Sequence, residues 1–168
     1  IDLFKDCERL GYKILRYPIG ETGDLGFTLK KDNDIIIFTN TSCRLSRELF
    51  TLAHEIGHVV LHMEHENSFI DNNVTISDND VDEKEHEANY FAACLLMPED
   101  EVGKFLDLNL TCLDNEGLSA TDIARIMSEF NVSFDMALNR LENLNKISPN
   151  EHLRLCSEKT KNRVGNLL

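Results

Sequence analysis

The sequence predicts an α+β fold, with a small, mostly antiparallel three-stranded sheet followed by several helices. Three short runs rich in β-branched and aromatic residues, YKILRY, GFTLK and DIIIFTN, follow one another near the start of the chain. Beyond residue 45, apolar residues recur with the 3.6-residue period of a helix in several longer segments. A group of strands followed by a group of helices is typical of α+β proteins.

The three strand-like runs are separated by PIGETGDLG and KDN, whose Gly, Pro, Asp and Asn residues favour turns. A short helix over residues 2–10 is expected before them, because its apolar residues have helical spacing and Gly11 follows where a helix would stop. The run DIIIFTN is compatible with a buried central strand or with a free edge on which an extended peptide pairs.

The longest helical pattern begins near Ser46 and runs for about 20 residues. A second helix is predicted over residues 83–97, and residues 64–82 between the two are polar and acidic, as in a loop. Residues 118–147 predict two further helices joined at residues 131–133. We expect residues 1–110 to form one domain, with residues 111–168 as a helical segment packed on it.

The charge and the cysteines restrict the partners and the location. Seventeen Lys and Arg stand against thirty Asp and Glu, a net charge of -13, so a broad basic surface for nucleic acid is not expected. The five cysteines are scattered and never form C-x-x-C, which favours a reducing compartment. No apolar run approaches the roughly 18 residues of a membrane span, so we expect a cytoplasmic protein without a membrane partner.

The segment FTLAHEIGHVVLH, residues 50–62, contains an H-E-x-x-H motif. In a helix, His54 and His58 lie on one face and can bind a single metal ion, while Glu55, one residue further round, reaches water bound to it. Alternatively, the histidines are ordinary solvated or hydrogen-bonded residues. The apolar surroundings favour the metal, because burying such groups without a partner costs about 1–3 kcal/mol each.

A catalytic zinc ion usually takes three protein ligands and keeps one position for water. His62 is not expected to be the third ligand, because the helical rise places it roughly 12 Å along the axis from His54. The longer motif H-E-x-x-H-x-x-G-x-x-H also fails, since Leu61 and Glu64 replace its glycine and its last histidine. His62 and His65 are therefore expected at the surface or beside the ligands.

Glu85, on the second predicted helix, is the expected third ligand. It falls on the same stripe as Ala88 and other apolar residues, where a carboxylate needs a compensating partner such as a metal ion. Asn89, four residues on, would face the same site and hydrogen-bond a ligating histidine. Glu87 is expected to be a solvated charge on the helix flank, and His86 faces nearly the opposite way.

Two segments, RELFTLAHEIGHVVLH (residues 47–62) and EHEANYFAACLLMP (residues 85–98), resemble the ImmA/IrrE-type metallopeptidases, formerly a domain of unknown function. The resemblance extends more weakly over residues 12–145. It implies zincin-like helices, Zn²⁺ bound by His54, His58 and Glu85, and Glu55 as the catalytic residue. It also implies that the protein cleaves a specific protein, typically a helix-turn-helix repressor controlling a phage, a mobile element or a stress response.

The segment ATDIARIMSEFNVSFDMALNRLENL is similar to the helix-turn-helix-like segment of that family. Its basic residues are balanced by acidic ones, so it offers no basic stripe for phosphates. We therefore expect it to pack or to bind a partner, and we expect no direct contact with nucleic acid. The residues compared are Arg125, Arg140 and Lys146 against Asp122, Glu129, Asp135 and Glu142.

Three hypotheses follow. The first is a zinc endopeptidase of narrow specificity in which Glu55 takes a proton from water activated by zinc and passes it to the leaving amine. His62, His86 and Tyr90 are candidates for the donor that stabilises the oxyanion, and the sequence does not choose among them. The second is a zinc-stabilised regulatory or protein-binding module with little or no proteolytic activity. The third is a structural helix pair without metal.

Overall fold

The computed structural model describes residues 2–20, 26–31, 34–63, 68–69, 78–109 and 117–162. In this part of the chain the strands are β1 (Lys13–Tyr17), β2 (Gly26–Lys31), β3 (Asp34–Asn40) and β4 (Ser68–Phe69). The helices are α1 (Leu3–Arg9), α2 (Leu45–His62), α3 (Asp78–Leu96), α4 (Glu99–Asn109), α5 (Ala120–Phe130), α6 (Phe134–Asn143) and α7 (Pro149–Asn162). The predicted α+β class is confirmed.

The sheet is mixed, so the prediction of a mostly antiparallel sheet is wrong. Its strand order is β1-β3-β2-β4, with three main strands and the two-residue β4 at the edge beside β2. β1 runs parallel to β3, whereas β2 is antiparallel to both β3 and β4. The short connection at residues 32–33 makes β2 and β3 a hairpin, while the connection from β1 to β3, residues 18–33, is long enough for parallel pairing.

The run DIIIFTN forms the central strand of this sheet, between β1 and β2. Ile37, in the middle of the run, is fully buried. The alternative of a free strand edge therefore does not apply to β3.

All of the predicted helices are present, one of them with an earlier start, and α4 and α7 were not predicted. α1, α2, α5 and α6 match the predicted helical segments, and residues 131–133 join α5 to α6 as expected. α3 begins at Asp78, inside the predicted loop, where the sequence has no apolar period that would have indicated a helix. Apart from β4 and these first residues of α3, the predicted loop 64–82 lies outside the described residues.

The chain divides into two compact units, residues 1–92 and 93–168. The first has a core contributed by α1, β3 and α2, formed by Cys7, Ile37, Leu52 and Ile56. The second has its own core, in which Phe134, Leu138 and Leu141 of α6 are almost completely buried. The domain division expected at residues 110 and 111 remains a prediction.

In the first unit, an ion pair between a half-exposed arginine and a buried glutamate links the start of α2 to the sheet. Arg16 of β1 donates two hydrogen bonds to the Glu48 carboxylate, at 2.7 Å from Nε and 2.8 Å from Nη2. The Thr39 hydroxyl of β3 donates a third at 2.9 Å, and the Arg16 guanidinium lies 4.1 Å from the centre of the Phe4 ring. Because Glu48 is buried and fully engaged, it fixes the direction of α2 along the sheet.

In the second unit, α5 and α6 have well-defined ends. Ser119 and Asp122 form a capping box at the start of α5, and Asn131 ends that helix in the left-handed conformation at φ 53°. Ser133 then caps α6 by accepting a hydrogen bond from the backbone N–H of Met136. None of the helices in the described ranges combines the length and the apolar character needed to cross a bilayer.

Candidate metal centre

α2 places the two histidines of the H-E-x-x-H motif side by side. His54 and His58, one helical turn apart, direct their Nε2 atoms toward the same point, and these atoms are 2.9 Å apart. The His58 side chain is buried, and that of His54 is mostly so. Such convergence of two imidazoles suits a shared ligand.

α3 brings Glu85 to the same point. Its Oε2 atom lies 3.2 Å from Nε2 of His54, and its Oε1 atom lies 3.1 Å from Nε2 of His58. Ligand atoms of the three residues all lie within 4.8 Å of one another. Among the residues that the structure describes, this is the group of His, Cys, Asp and Glu side chains that could hold a metal ion.

The donor set fits zinc in chemistry and in spacing. Two imidazole nitrogens and one carboxylate oxygen form a donor set typical of catalytic zinc, which leaves a fourth position open. A tetrahedral ion at 2.0–2.1 Å from each donor separates the donors by about 3.3 Å. The two Nε2 atoms are 2.9 Å apart, each lies 3.1–3.2 Å from a different Glu85 oxygen, and one ligand atom from each residue lies within 4.8 Å of the others, so a modest rotation of the carboxylate would bring one oxygen to this spacing.

The electrostatics of the site favour a cation. Hydrogen bonds from His54 and His58 hold the pKa of Glu85 far below its usual range, against the opposing effect of burial. For His54, burial acts to lower the pKa, but the hydrogen bond and charge of Glu85, together with the charge of Glu55, raise it overall. The negative charges that favour a proton on His54 would likewise stabilise a metal ion beside it.

Asn89 lies next to the ligand pair, on the side of His54. Its Oδ1 atom is 3.0 Å from Nδ1 of His54. An amide oxygen only accepts, so His54 donates from Nδ1 when this bond forms, and Nε2 is then the nitrogen at which a metal ion would replace the hydrogen bond to Glu85. This is the position that the helical spacing from Glu85 predicts for Asn89.

The three candidates for the oxyanion donor differ in burial and in their contacts. His62 is buried, with Nδ1 at 3.0 Å from Nδ1 of His58 and Nε2 at 3.0 Å from Oε2 of Glu87. His86 and Tyr90 are exposed on α3, and His86 is not a member of the cluster of ligand atoms. Glu87 is half-exposed, as expected for a flank residue, but it also contacts a buried histidine.

Glu55 of α2 is buried on the side of the helix that faces the sheet. The Thr28 hydroxyl of β2 donates a hydrogen bond of 2.6 Å to its Oε2 atom, and Thr28 itself is fully buried. Sequence analysis missed Thr28, although strand alternation could have indicated that Thr28 and its neighbour Phe27 face opposite sides of the sheet. The contact fixes the carboxylate that the H-E-x-x-H motif supplies.

Gly57 allows α2 and α3 to approach closely. A Cβ atom at this position would lie 3.1 Å from the Cα atom and 3.2 Å from the carbonyl oxygen of Ala88, and 3.2 Å from the Phe91 ring. These contacts are tighter than packed side chains normally allow. The small residues Gly57 and Ala88 therefore bring Glu85 within reach of the histidines.

Replacing Gly57 by alanine is expected to weaken both the fold and the metal site. Overpacking costs about 1–3 kcal/mol, more than the roughly 1 kcal/mol that alanine contributes to a helix. We expect a lower free energy of unfolding in denaturant titration and a weaker zinc affinity. Gly103→Ala in α4 is the matched control, because a Cβ there meets nothing within 4 Å, and this variant should be as stable as the parent or more so. Equal behaviour of the two variants would contradict the packing argument.

The fold and the site define a class of protein. It is an α+β H-E-x-x-H protein in which two histidines of one helix and a glutamate of a second helix form a candidate metal centre. Comparison with known protein families identifies the particular family. The model of peptidase family M78, described as the IrrE N-terminal-like domain, matches residues 7–142. The chain therefore belongs to this family, and the resemblance found in residues 47–62 and 85–98 is confirmed.

A solved structure of a Mycobacterium tuberculosis transcriptional regulator has a similar fold. The two proteins share 14% sequence identity with a TM-score of 0.55, and the match covers 81% of this chain. It covers 38% of the other chain, so this chain spans well under half of that protein's length. A search of the curated proteins finds no match.

Proposed function

We propose that the protein is a zinc-dependent endopeptidase of narrow specificity that cleaves a helix-turn-helix repressor of a phage, a mobile element or a stress response. The observation that carries this proposal is the convergence of His54, His58 and Glu85, with the buried Glu55 close enough for its charge to raise the pKa of His54. Membership of peptidase family M78 supports it. The protein would act in the cytoplasm, where such a repressor is found.

His54, His58 and Glu85 would hold zinc, which when bound lowers the pKa of water to about 7 and polarises the scissile carbonyl. Glu55 takes the proton of the attacking water and passes it to the leaving amine. Thr28 holds one oxygen of this carboxylate through its hydroxyl, which limits the orientations of the carboxylate during the transfer.

The repressor is proposed as substrate because of the family resemblance, and we assign α5 and α6 to packing or partner binding. Two of the basic residues in this segment are engaged within the protein. Arg140 is buried and donates from Nε to the carbonyl oxygen of Met97 at 2.9 Å, and Arg125 pairs with Asp122. Arg140 is withdrawn from the surface, and the charge of the exposed Arg125 is paired with Asp122, which supports a role without direct nucleic-acid contact.

A zinc-stabilised regulatory or protein-binding module is the second candidate. The fold shared with a transcriptional regulator favours it, because a regulatory protein can use the same architecture without proteolysis. The two candidates differ in whether a partner is cut, and both differ from a metal-free helix pair in zinc content.

The proposal is tested with protein purified without added zinc and, as substrate, a helix-turn-helix repressor encoded by a neighbouring gene. We expect about one zinc per chain by elemental analysis, as three protein ligands imply. We also expect cleavage of the repressor, detected by mass spectrometry, that stops with a chelator and returns with zinc. Zinc without cleavage would favour the regulatory module, and absence of bound zinc would favour the metal-free helix pair.

A further inference from the structure

We infer that His62 and Glu87 are positioning residues that hold His58 in the orientation and tautomer needed to bind the metal. The inference rests on the proposed function, since it concerns the same site. It assigns to His62 a role other than oxyanion stabilisation and to Glu87 a role beyond that of a surface charge.

The contacts form a continuous chain from the edge of α3 to the candidate ligand. Oε2 of Glu87 is 3.0 Å from Nε2 of His62, and Nδ1 of His62 is 3.0 Å from Nδ1 of His58. Nε2 of His58 then faces Nε2 of His54 and Oε1 of Glu85. Both ring nitrogens of His62 are thus engaged, which leaves none for a substrate oxygen.

Hydrogen-bond chemistry orients this chain in one direction. A carboxylate only accepts, so the Nε2–H of His62 donates to Glu87. In neutral His62 the other nitrogen, Nδ1, is an acceptor, so the Nδ1–H of His58 donates to it. Nε2 of His58, the atom that faces Glu85, is then the nitrogen at which a metal ion would replace the hydrogen bond to Glu85. Metal-ligating histidines are commonly oriented in this way through their second nitrogen.

The burial of His62 supports a role inside the protein. Its side chain is 5% exposed, whereas the preceding residues Val60 and Leu61 are about half exposed. The ring of His62 thus points inward although its two apolar neighbours face solvent. Its two hydrogen bonds explain this, because they satisfy both ring nitrogens of a buried polar group.

α3 supports both histidines in the same way. Asn89 contacts Nδ1 of His54 directly, and Glu87 reaches Nδ1 of His58 through His62. With Glu85 between the two histidines, one helix supplies both a ligand and the orienting groups for the other two. Movement of α3 would therefore disturb all three ligands together.

The test measures zinc affinity by competition with a chromophoric chelator. His62→Leu removes both hydrogen bonds at similar size and is expected to weaken zinc binding about 10–100-fold. His62→Gln can accept from His58 and donate to Glu87, so it should restore most of the affinity. Glu87→Ala is expected to weaken binding by about 10-fold. Glu83→Ala, which removes an exposed carboxylate one turn earlier on α3, should leave the affinity unchanged.

Circular dichroism of the metal-free proteins shows whether each variant folds. If His62→Leu fails to fold, the comparison of Glu87→Ala with Glu83→Ala decides the matter. Wild-type protein that binds no zinc would overturn the proposed function itself. Wild-type protein that binds zinc, with the same affinity in folded His62→Leu or in Glu87→Ala, would overturn this inference alone. Equal losses in His62→Leu and His62→Gln would also overturn it, because they would indicate a packing role.

Discussion

Replacing Glu55 by glutamine is expected to lower the rate of substrate cleavage by at least about 10²–10⁴-fold while zinc stays bound. Glutamine has the same shape but cannot take a proton from water at neutral pH. The amide oxygen can still accept the hydrogen bond from Thr28, so the fold should be retained. The measurement is kcat/KM on the repressor, with zinc content and circular dichroism determined on the same sample.

Glu83→Gln provides the matched control for this variant. It makes the same chemical change at an exposed position of α3 that is not one of the candidate ligands, and cleavage should continue at the parent rate. Cleavage by Glu55→Gln at the wild-type rate would show that Glu55 is not the general base. If wild-type protein binds zinc and neither protein cleaves the repressor, the regulatory module becomes the better explanation.

Replacing Glu85 by glutamine is expected to abolish stable zinc binding and, with it, cleavage. Glu85 supplies the carboxylate of the donor set and the negative charge nearest the two histidines. Loss of a ligand should weaken affinity by more than the roughly 10–100-fold expected for an orienting residue. The measurement is zinc affinity, followed by recovery of cleavage on addition of excess zinc.

The metal-free form of Glu85→Gln should be only moderately less stable than the parent. The substitution removes the carboxylate charge, whose group has its pKa lowered by His54 and His58, but Glu85 is partly exposed and glutamine can still hydrogen-bond these histidines. A large loss of stability would mean that Glu85 has a structural role. Unchanged zinc affinity in Glu85→Gln would show that the third ligand lies elsewhere, and it would remove the basis of the proposed centre.

The sheet shows where sequence reasoning ends. The β-branched composition identified β1, β2 and β3, because strand formation depends on local side-chain character. It did not identify the parallel pairing of β1 with β3, because neighbours in a sheet are chosen by connection length and by packing against α1 and α2. Two helices, α4 and α7, were also missed, and in α7 the few apolar residues give only a weak helical period.

The candidate site was more accessible to sequence reasoning because its residues lie on two helices. The spacing of His54 and His58, and the position of Glu85 on an apolar stripe, are properties of single helices. The structure brings their ligand atoms together, with Asn89 beside them. Glu87 was underestimated, because its helical position indicated a solvated flank charge and could not show that His62 lies opposite it.

By itself, the sequence indicated five of the helices (α1, α2, α3, α5 and α6), the three main strands, and the histidines and glutamates that could share an ion. Only the tertiary structure decided that β1 lies parallel to β3, that Thr28 holds Glu55 and that Glu87 reaches His58 through His62. The physical reason is the separation along the sequence of the residues that make the deciding contacts. Local patterns arise from contacts within one turn or one strand, whereas these three features depend on which residues of separate elements face each other after packing.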